Sequence, residues 1–242
     1  MADVPAKDVA ALRKITGAGM MDCKKALQET EGDMERAKDW LREKGIAGAA
    51  KRAGREADQG SVEVLVEGNV GVVVELNCET DFVAKGDIFR QAIASLAEIV
   101  VEHGESGLGS RTVGGETVDD FVKGLSGTLN EKIEVGRVVR FEADGGLIDG
   151  YKHIQNERGV VGVLVELAGV DAGDAKAREV AHDIALHIAS AAPRFVSRDD
   201  VPADEVERER DVLQKQTIGA LVQSLGDGVS VRRFARVKIG ED

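Results

Sequence analysis

Few residues of the kinds that do chemistry occur in this chain, and their spacing matters mostly for what it fails to assemble. The four histidines are His103, His153, His182 and His187. The closest pair, His182 and His187, lies five residues apart in a helix-like stretch. That turns the two rings to different faces and argues against a shared metal. Both read as ordinary helix residues. The two cysteines, Cys23 and Cys78, are too few for a disulfide framework or a four-ligand zinc site. With no base beside either, Cys23 reads as a small core residue and Cys78 as a buried turn residue, not as nucleophiles. No GxxxxGK[ST] loop occurs, and the spaced glycines of "TGAGMMD" and "GGLIDG" lack a strand–turn–helix setting. No acid, base, nucleophile and metal set comes together, so the chain is not expected to be an enzyme or to carry a cofactor or metal.

Two stretches offer contact chemistry instead. In "NCETDFVAK", residues 77–85, the carboxylate of Asp81 stands beside the ring of Phe82 where a polar surface turn is expected. Composition alone favours Thr80 or Asp81 as a helix cap with Phe82 folded into the core; the alternative is a pair pushed into another molecule. In "TGAGMMDCKK", Met20 and Met21 follow a glycine turn and cannot both face one helix's core. Pattern alone favours one buried methionine and one lying in the turn. The sharper reading is a soft apolar contact for a partner.

The elements that must carry these stretches follow from periodicity. Residues 6–45 read as three short helices. Val9, Leu12 and Ile15 share the first inner face, Cys23, Ala26 and Leu27 the second, and Ala37, Trp40 and Leu41 the third. Gly32 and Gly45 read as stops, and Asp33 as a cap. Residues 46–60 read as a basic helical tail and linker. From Ser61 the period becomes two, with a hairpin at Gly68-Asn69. A helix is expected over residues 87–103, then a Gly-rich loop over 104–117, further helix, and the strand "IEVGRVVRFE". The pattern then repeats: "GVVVEL" at 71–76 returns as "GVLVEL" at 162–167, Phe89 and Ile93 as Val180 and Ile184, and "IEVGRVVRFE" at 133–142 as "VSVRRFARVK" at 229–238. The spacing is too long for a solenoid and implies a duplicated α+β subdomain.

The 242 residues are 43% hydrophobic and 3% aromatic, with a net charge of −12. Residues 7–55 hold twelve Lys and Arg against eight Asp and Glu, a net of +4, whereas residues 56–242 carry −15. A small basic module thus joins a large acidic one, and the acidic balance makes nucleic acid a poor partner. No segment of signal-peptide type occurs and no run approaches a membrane span, so a cytoplasmic protein without membrane contact is expected.

Taken together, "TGAGMMDCKKAL" and "NCETDFVAK" resemble translation elongation factor Ts, the bacterial guanine-nucleotide exchange factor for elongation factor Tu. The resemblance runs from about residue 6 to 210 and resumes in the last strand-like stretch. It implies an α+β fold: a ubiquitin-associated-like three-helix domain with its linker over 1–55, and a core of two related subdomains over 56–144 and 145–242. It also implies that the exchange factor binds elongation factor Tu in both its GDP-bound and nucleotide-free states. Asp81 and Phe82, with Thr80 and Val83 completing the segment, match the family pair that enters the partner's G domain near its magnesium ion. Met20 and Met21 match N-terminal positions that pack on that domain, and His153, in "GYKH", matches an interface histidine of the second subdomain. One departure concerns the stretch after "VERER", 206–210, where the family usually continues through a helical-hairpin insert: here "DVLQKQTIGALV" follows at once, so either the chain has lost the insert or the sequence omits it. The competing reading is a ubiquitin-associated-like polypeptide-binding adaptor without exchange activity.

Overall fold

Asp33 caps its helix as its sequence position demands: the carboxylate accepts a hydrogen bond from the backbone N–H of Arg36 at 3.0 Å. The helix it starts belongs to a computed structural model that describes residues 4–200, 202 and 216–241. The three N-terminal helices are α1 (Ala6–Thr16), α2 (Met20–Glu29) and α3 (Met34–Arg52). They close on Val9, Leu12, Cys23, Ala26, Leu27, Ala37 and Leu41, with Trp40 packed at the edge. Ile15 does not join them. It is 57% exposed, because Val9 and Leu12 already define the buried stripe and Ile15 falls outside it.

Gly45 is not a stop. α3 runs through it for 19 residues, and Gly45 serves packing instead. Where α3 crosses α6 (Val118–Leu129), a Cβ on Gly127 would lie 1.9 Å from the Gly45 Cα, and a Cβ on Gly45 would lie 3.2 Å from the Gly124 carbonyl. The two backbones touch, which only glycine allows. Residues 104–117 are also more ordered than a loop: a 3₁₀ turn at Leu108–Ser110 leads into a small hairpin, β3 (Thr112–Val113) and β4 (Glu116–Thr117).

The remaining elements are β1 (Gln59–Glu67), β2 (Val70–Cys78), α4 (Asp81–Ala84), α5 (Asp87–His103), β5 (Glu134–Glu142), β6 (Leu147–Gln155), β7 (Arg158–Ala168), α7 (Ala175–Ala191), α8 (Gln216–Gln223) and β8 (Ser230–Lys238). Two three-stranded sheets result, ordered β1-β2-β5 and β6-β7-β8. Three helices followed by a mixed helix and sheet core give the expected α+β fold. The described residues form two compact units. The first draws on Met1–Ser61, Leu76–Leu96 and Gly107–Gly136, and the second on Val62–Glu75, Ala97–Ser106 and Arg137–Asp242.

The second unit brings the two similar sequence stretches together. β7 is buried along nearly its whole length because both faces are covered. Val163, Val165 and Leu167 pack with Val180, Ala181 and Ile184 of α7, while Leu164 joins Val62, Val73, Phe141, Ile148 and Val237 in a separate cluster. Equivalent glycines let the two sequence repeats approach: a Cβ on Gly71 would meet Leu164 at 2.9 Å, and one on Gly162 would meet Val73 at 2.8 Å. Each repeat also buries one acid. The Arg137 Nε donates to Glu75 at 3.0 Å, and the Arg233 Nε donates to Glu166 at 2.6 Å. Each arginine then reaches the end of the other repeat's last strand, Arg137 to the Lys238 carbonyl at 2.6 Å and Arg233 to the Glu142 carbonyl at 3.1 Å.

Candidate functional site

The segment 80–83 is built around Thr80. A four-residue helix such as α4 cannot hold itself together, since one turn fixes more torsions than it gains hydrogen bonds. Its order must come from outside, and Thr80 supplies the attachment. Its Oγ1 accepts from the Val83 N–H at 3.3 Å and donates to Glu131 Oε1 at 2.6 Å. Its backbone N–H donates to Glu131 Oε2 at 3.0 Å, and its carbonyl accepts from the Cys78 thiol at 3.1 Å. Ala84 is fully buried and pins the other end.

The connection between α6 and β5 carries the carboxylate that does this. α6 ends at Asn130 in a left-handed conformation, and the Ser126 hydroxyl donates to the Glu131 carbonyl at 2.5 Å, which sets Glu131 under the turn. Glu131 Oε2 also accepts the Glu79 N–H at 3.1 Å. Glu79 returns the contact: its Oε1 accepts the Lys132 N–H at 2.6 Å and an Arg55 guanidinium N–H at 3.0 Å. The Lys132 amide above all, and then Arg55, hold the Glu79 carboxyl below its ordinary range. Two strand-end segments therefore clasp each other through a pair of acids.

On this base the two residues of interest face outward. Phe82 is 83% exposed, so the core placement favoured by composition is wrong: Ala84, not the ring, turns inward. Asp81 points to solvent and pairs with Lys85 one turn on at 2.5 Å. Val83 is half-buried. The methionines also depart from the expectation that one is buried. Both stand on the first turn of α2, Met20 at 58% and Met21 at 74% exposure, because Cys23, Ala26 and Leu27 already fill the inner stripe.

Thr80–Val83 and the two methionines lie in the first unit, and His153 in the second. His153 is exposed near the end of β6, where the pairing register with β7 shifts between His153 and Ile154. Its Nδ1 lies 3.0 Å from the Tyr151 hydroxyl. Tyr151 in turn meets the His182 ring edge-on at 6.0 Å, and His182 Nδ1 lies 3.1 Å from Asp149 Oδ2. His182 is thus part of a small polar cluster and not simply a helix residue. His187, one and a half turns away, has no part in that cluster. Cys23 and Cys78 are both buried, and burial raises the Cys23 thiol. No described helix is long and apolar enough to cross a membrane.

Sequence reasoning missed Glu79, Glu131, Lys132 and Arg55. Two acids in polar turns more than fifty residues apart look like solvated surface, and nothing in their spacing signals a contact.

Comparison with known proteins decides the family. The description "Elongation factor Ts, mitochondrial, N-terminal" matches residues 3–50, and "Elongation factor TS" matches residues 79–220, more than half of the chain. The chain belongs to the elongation factor Ts family. The Elongation factor Ts of Pelodictyon phaeoclathratiforme is 44% identical over 227 residues, 90% of this chain and 77% of the relative. That of Symbiobacterium thermophilum is 45% identical over 224 residues, 90% of this chain and 72% of the relative. Membership in the elongation factor Ts family implies the role of nucleotide exchange on elongation factor Tu, which is the partner. The match that opens at Glu79 contains both clasping acids, Thr80–Val83 and His153, whereas Met20 and Met21 lie in the N-terminal match. These relatives are longer than the present chain, as their smaller covered share requires. The junction at 206–210, where the family insert was expected to be missing, lies outside the described residues.

Proposed function

We propose that this protein binds elongation factor Tu in its GDP-bound state, opens the partner's magnesium and phosphate site with Asp81 and Phe82, and stays bound to the nucleotide-free form until GTP loads. The observation that carries the reading is the exposed Phe82 ring on a turn anchored from beneath. Holding such a ring in water is unfavourable for the free protein, and a pocket in another protein relieves that cost. Phe82 acts as a wedge between partner elements. Asp81 exchanges its intramolecular partner Lys85 for groups around the ion, where a second carboxylate competes with the phosphates for positive charge. Met20 and Met21 supply adaptable apolar contact that sets affinity, and His153 adds a polar contact from the second unit. Exchange is reciprocal: if the factor lowers GDP affinity, GDP lowers the factor's affinity by the same ratio. The protein works in the cytoplasm, forms no covalent intermediate, and needs no nucleotide site, cofactor, nucleic acid or membrane of its own. The test is release of labelled GDP from elongation factor Tu with and without the protein. Unchanged release with intact binding would favour the adaptor reading and refute this one.

A further inference from the structure

We infer that Glu131 is a positioning residue for exchange: through Thr80 its carboxylate sets the orientation in which Asp81 and Phe82 are presented. The inference rests on the reading of that turn as the working segment. Three donors converge on the one carboxylate: the N–H groups of Glu79 and Thr80 at 3.1 and 3.0 Å, and the Thr80 hydroxyl at 2.6 Å. Consecutive backbone amides bound to one rigid acceptor fix the peptide plane that leads into α4, so the direction of the Phe82 Cα–Cβ bond is set before any partner arrives. The reciprocal bond from the Glu79 carboxylate to the Lys132 amide prevents the two segments from sliding past each other. The acids form no part of the exposed pair and need not touch the partner. Their effect falls on how well the wedge is aimed.

Such a residue acts on rate more than on affinity. The full-length protein is titrated against elongation factor Tu carrying fluorescent GDP, and the maximal release rate and half-saturating concentration are read separately. Glu131→Ala is expected to lower the maximal rate about tenfold and to move half-saturation less than about threefold. Glu131→Gln keeps the side-chain oxygen for the two amides and offers its NH₂ to the Thr80 oxygen, so it should restore the rate to within about threefold of the parent. In a Phe82→Ala background Glu131→Ala should cost nothing more, because the two act as one unit. A melting curve accompanies each variant. Should Glu131→Ala fail to fold, Thr80→Val takes its place: it removes the hydroxyl link, leaves both amides, and should slow maximal release in the same way. An unchanged maximal rate in the folded variant, or an undiminished loss in the Phe82→Ala background, overturns the positioning role. If Phe82→Ala itself releases GDP at the parental rate, the reading of the turn fails first and the positioning role with it.

Discussion

Replacing Phe82 by alanine separates an interface wedge from a core residue, because the two make opposite demands on stability and rate. Burying a phenylalanine side chain fully is worth about 1.5–3 kcal/mol. With 83% of the residue still exposed, the free protein realises about one-sixth of that, so truncation should cost only about 0.3–0.5 kcal/mol of stability. For a chain of 242 residues that is a shift of about 1–2 °C in melting temperature. The rest of the burial, about 1.2–2.5 kcal/mol, becomes available only when the ring enters the partner. If it is realised as GDP leaves, its loss should slow maximal release about 8- to 70-fold. The assay is stopped-flow release of labelled GDP at saturating factor, run beside a thermal melt. A core phenylalanine would give the reverse, about 3–5 kcal/mol of lost stability and normal release by whatever remains folded. A melting temperature lowered by more than about 6 °C with unimpaired release would refute the reasoning.

Three further outcomes are expected. Met21→Ala should leave the melt unchanged and raise the half-saturating concentration of factor by an amount equivalent to about 1–3 kcal/mol, with maximal release nearly constant; loss of maximal release with intact binding would contradict the division between anchor and wedge. Gly127→Ala should destabilise the protein by about 1–3 kcal/mol in urea unfolding despite alanine's better helix propensity, because its methyl carbon would stand 1.9 Å from the Gly45 backbone. For Glu79→Gln the effect depends on pH. A carboxyl held below its unfolded value of about 4.3 adds stability above that pH and loses it as pH falls through the lower native value. The variant should therefore be weaker than the parent by about 1 kcal/mol at pH 7 and equal to it in acid, and a deficit that persists under strongly acidic conditions would exclude this charge as its source.

Periodicity reveals what neighbouring residues decide. Cys23, Ala26 and Leu27 on one stripe, Asp33 at a cap, the hairpin at Gly68 and the limits of α5 all follow from spacing within one element. The repeat in the sequence is readable because each copy restates its own strand and helix pattern. Gly45 misleads for the opposite reason: glycine is both a helix stop and a small packing surface, and only Gly127, eighty-two residues away, determines which use prevails. Met20, Met21 and Phe82 were misplaced by pattern because an apolar residue left exposed beside an already filled inner stripe has the composition of a core residue. The recurrence of two long motifs in order pointed to the right family where local pattern could not. Glu79 and Glu131 stayed hidden because a hydrogen bond between distant turns leaves no period in the chain.

The crossed arginines carry a consequence for how the second unit assembles. Arg137 of one repeat caps the strand end at Lys238, and Arg233 of the other caps the strand end at Glu142, so the contact from i to j recurs from j to i. Backbone pairing instead closes each repeat on itself in the same way, with Ala143 donating to the Asn69 carbonyl in the first and Ile239 to the Val160 carbonyl in the second. Such self-complementarity is the hallmark of an isologous interface, the kind that twofold homodimers form. The joint between the repeats therefore repeats, within one chain, the contact pattern of a twofold homodimer. The same self-complementarity gives a half-folded chain no electrostatic means of telling its own second repeat from that of a neighbouring molecule. Correct pairing then falls to the tether, whose short reach keeps the intramolecular partner at a higher local concentration than any competitor.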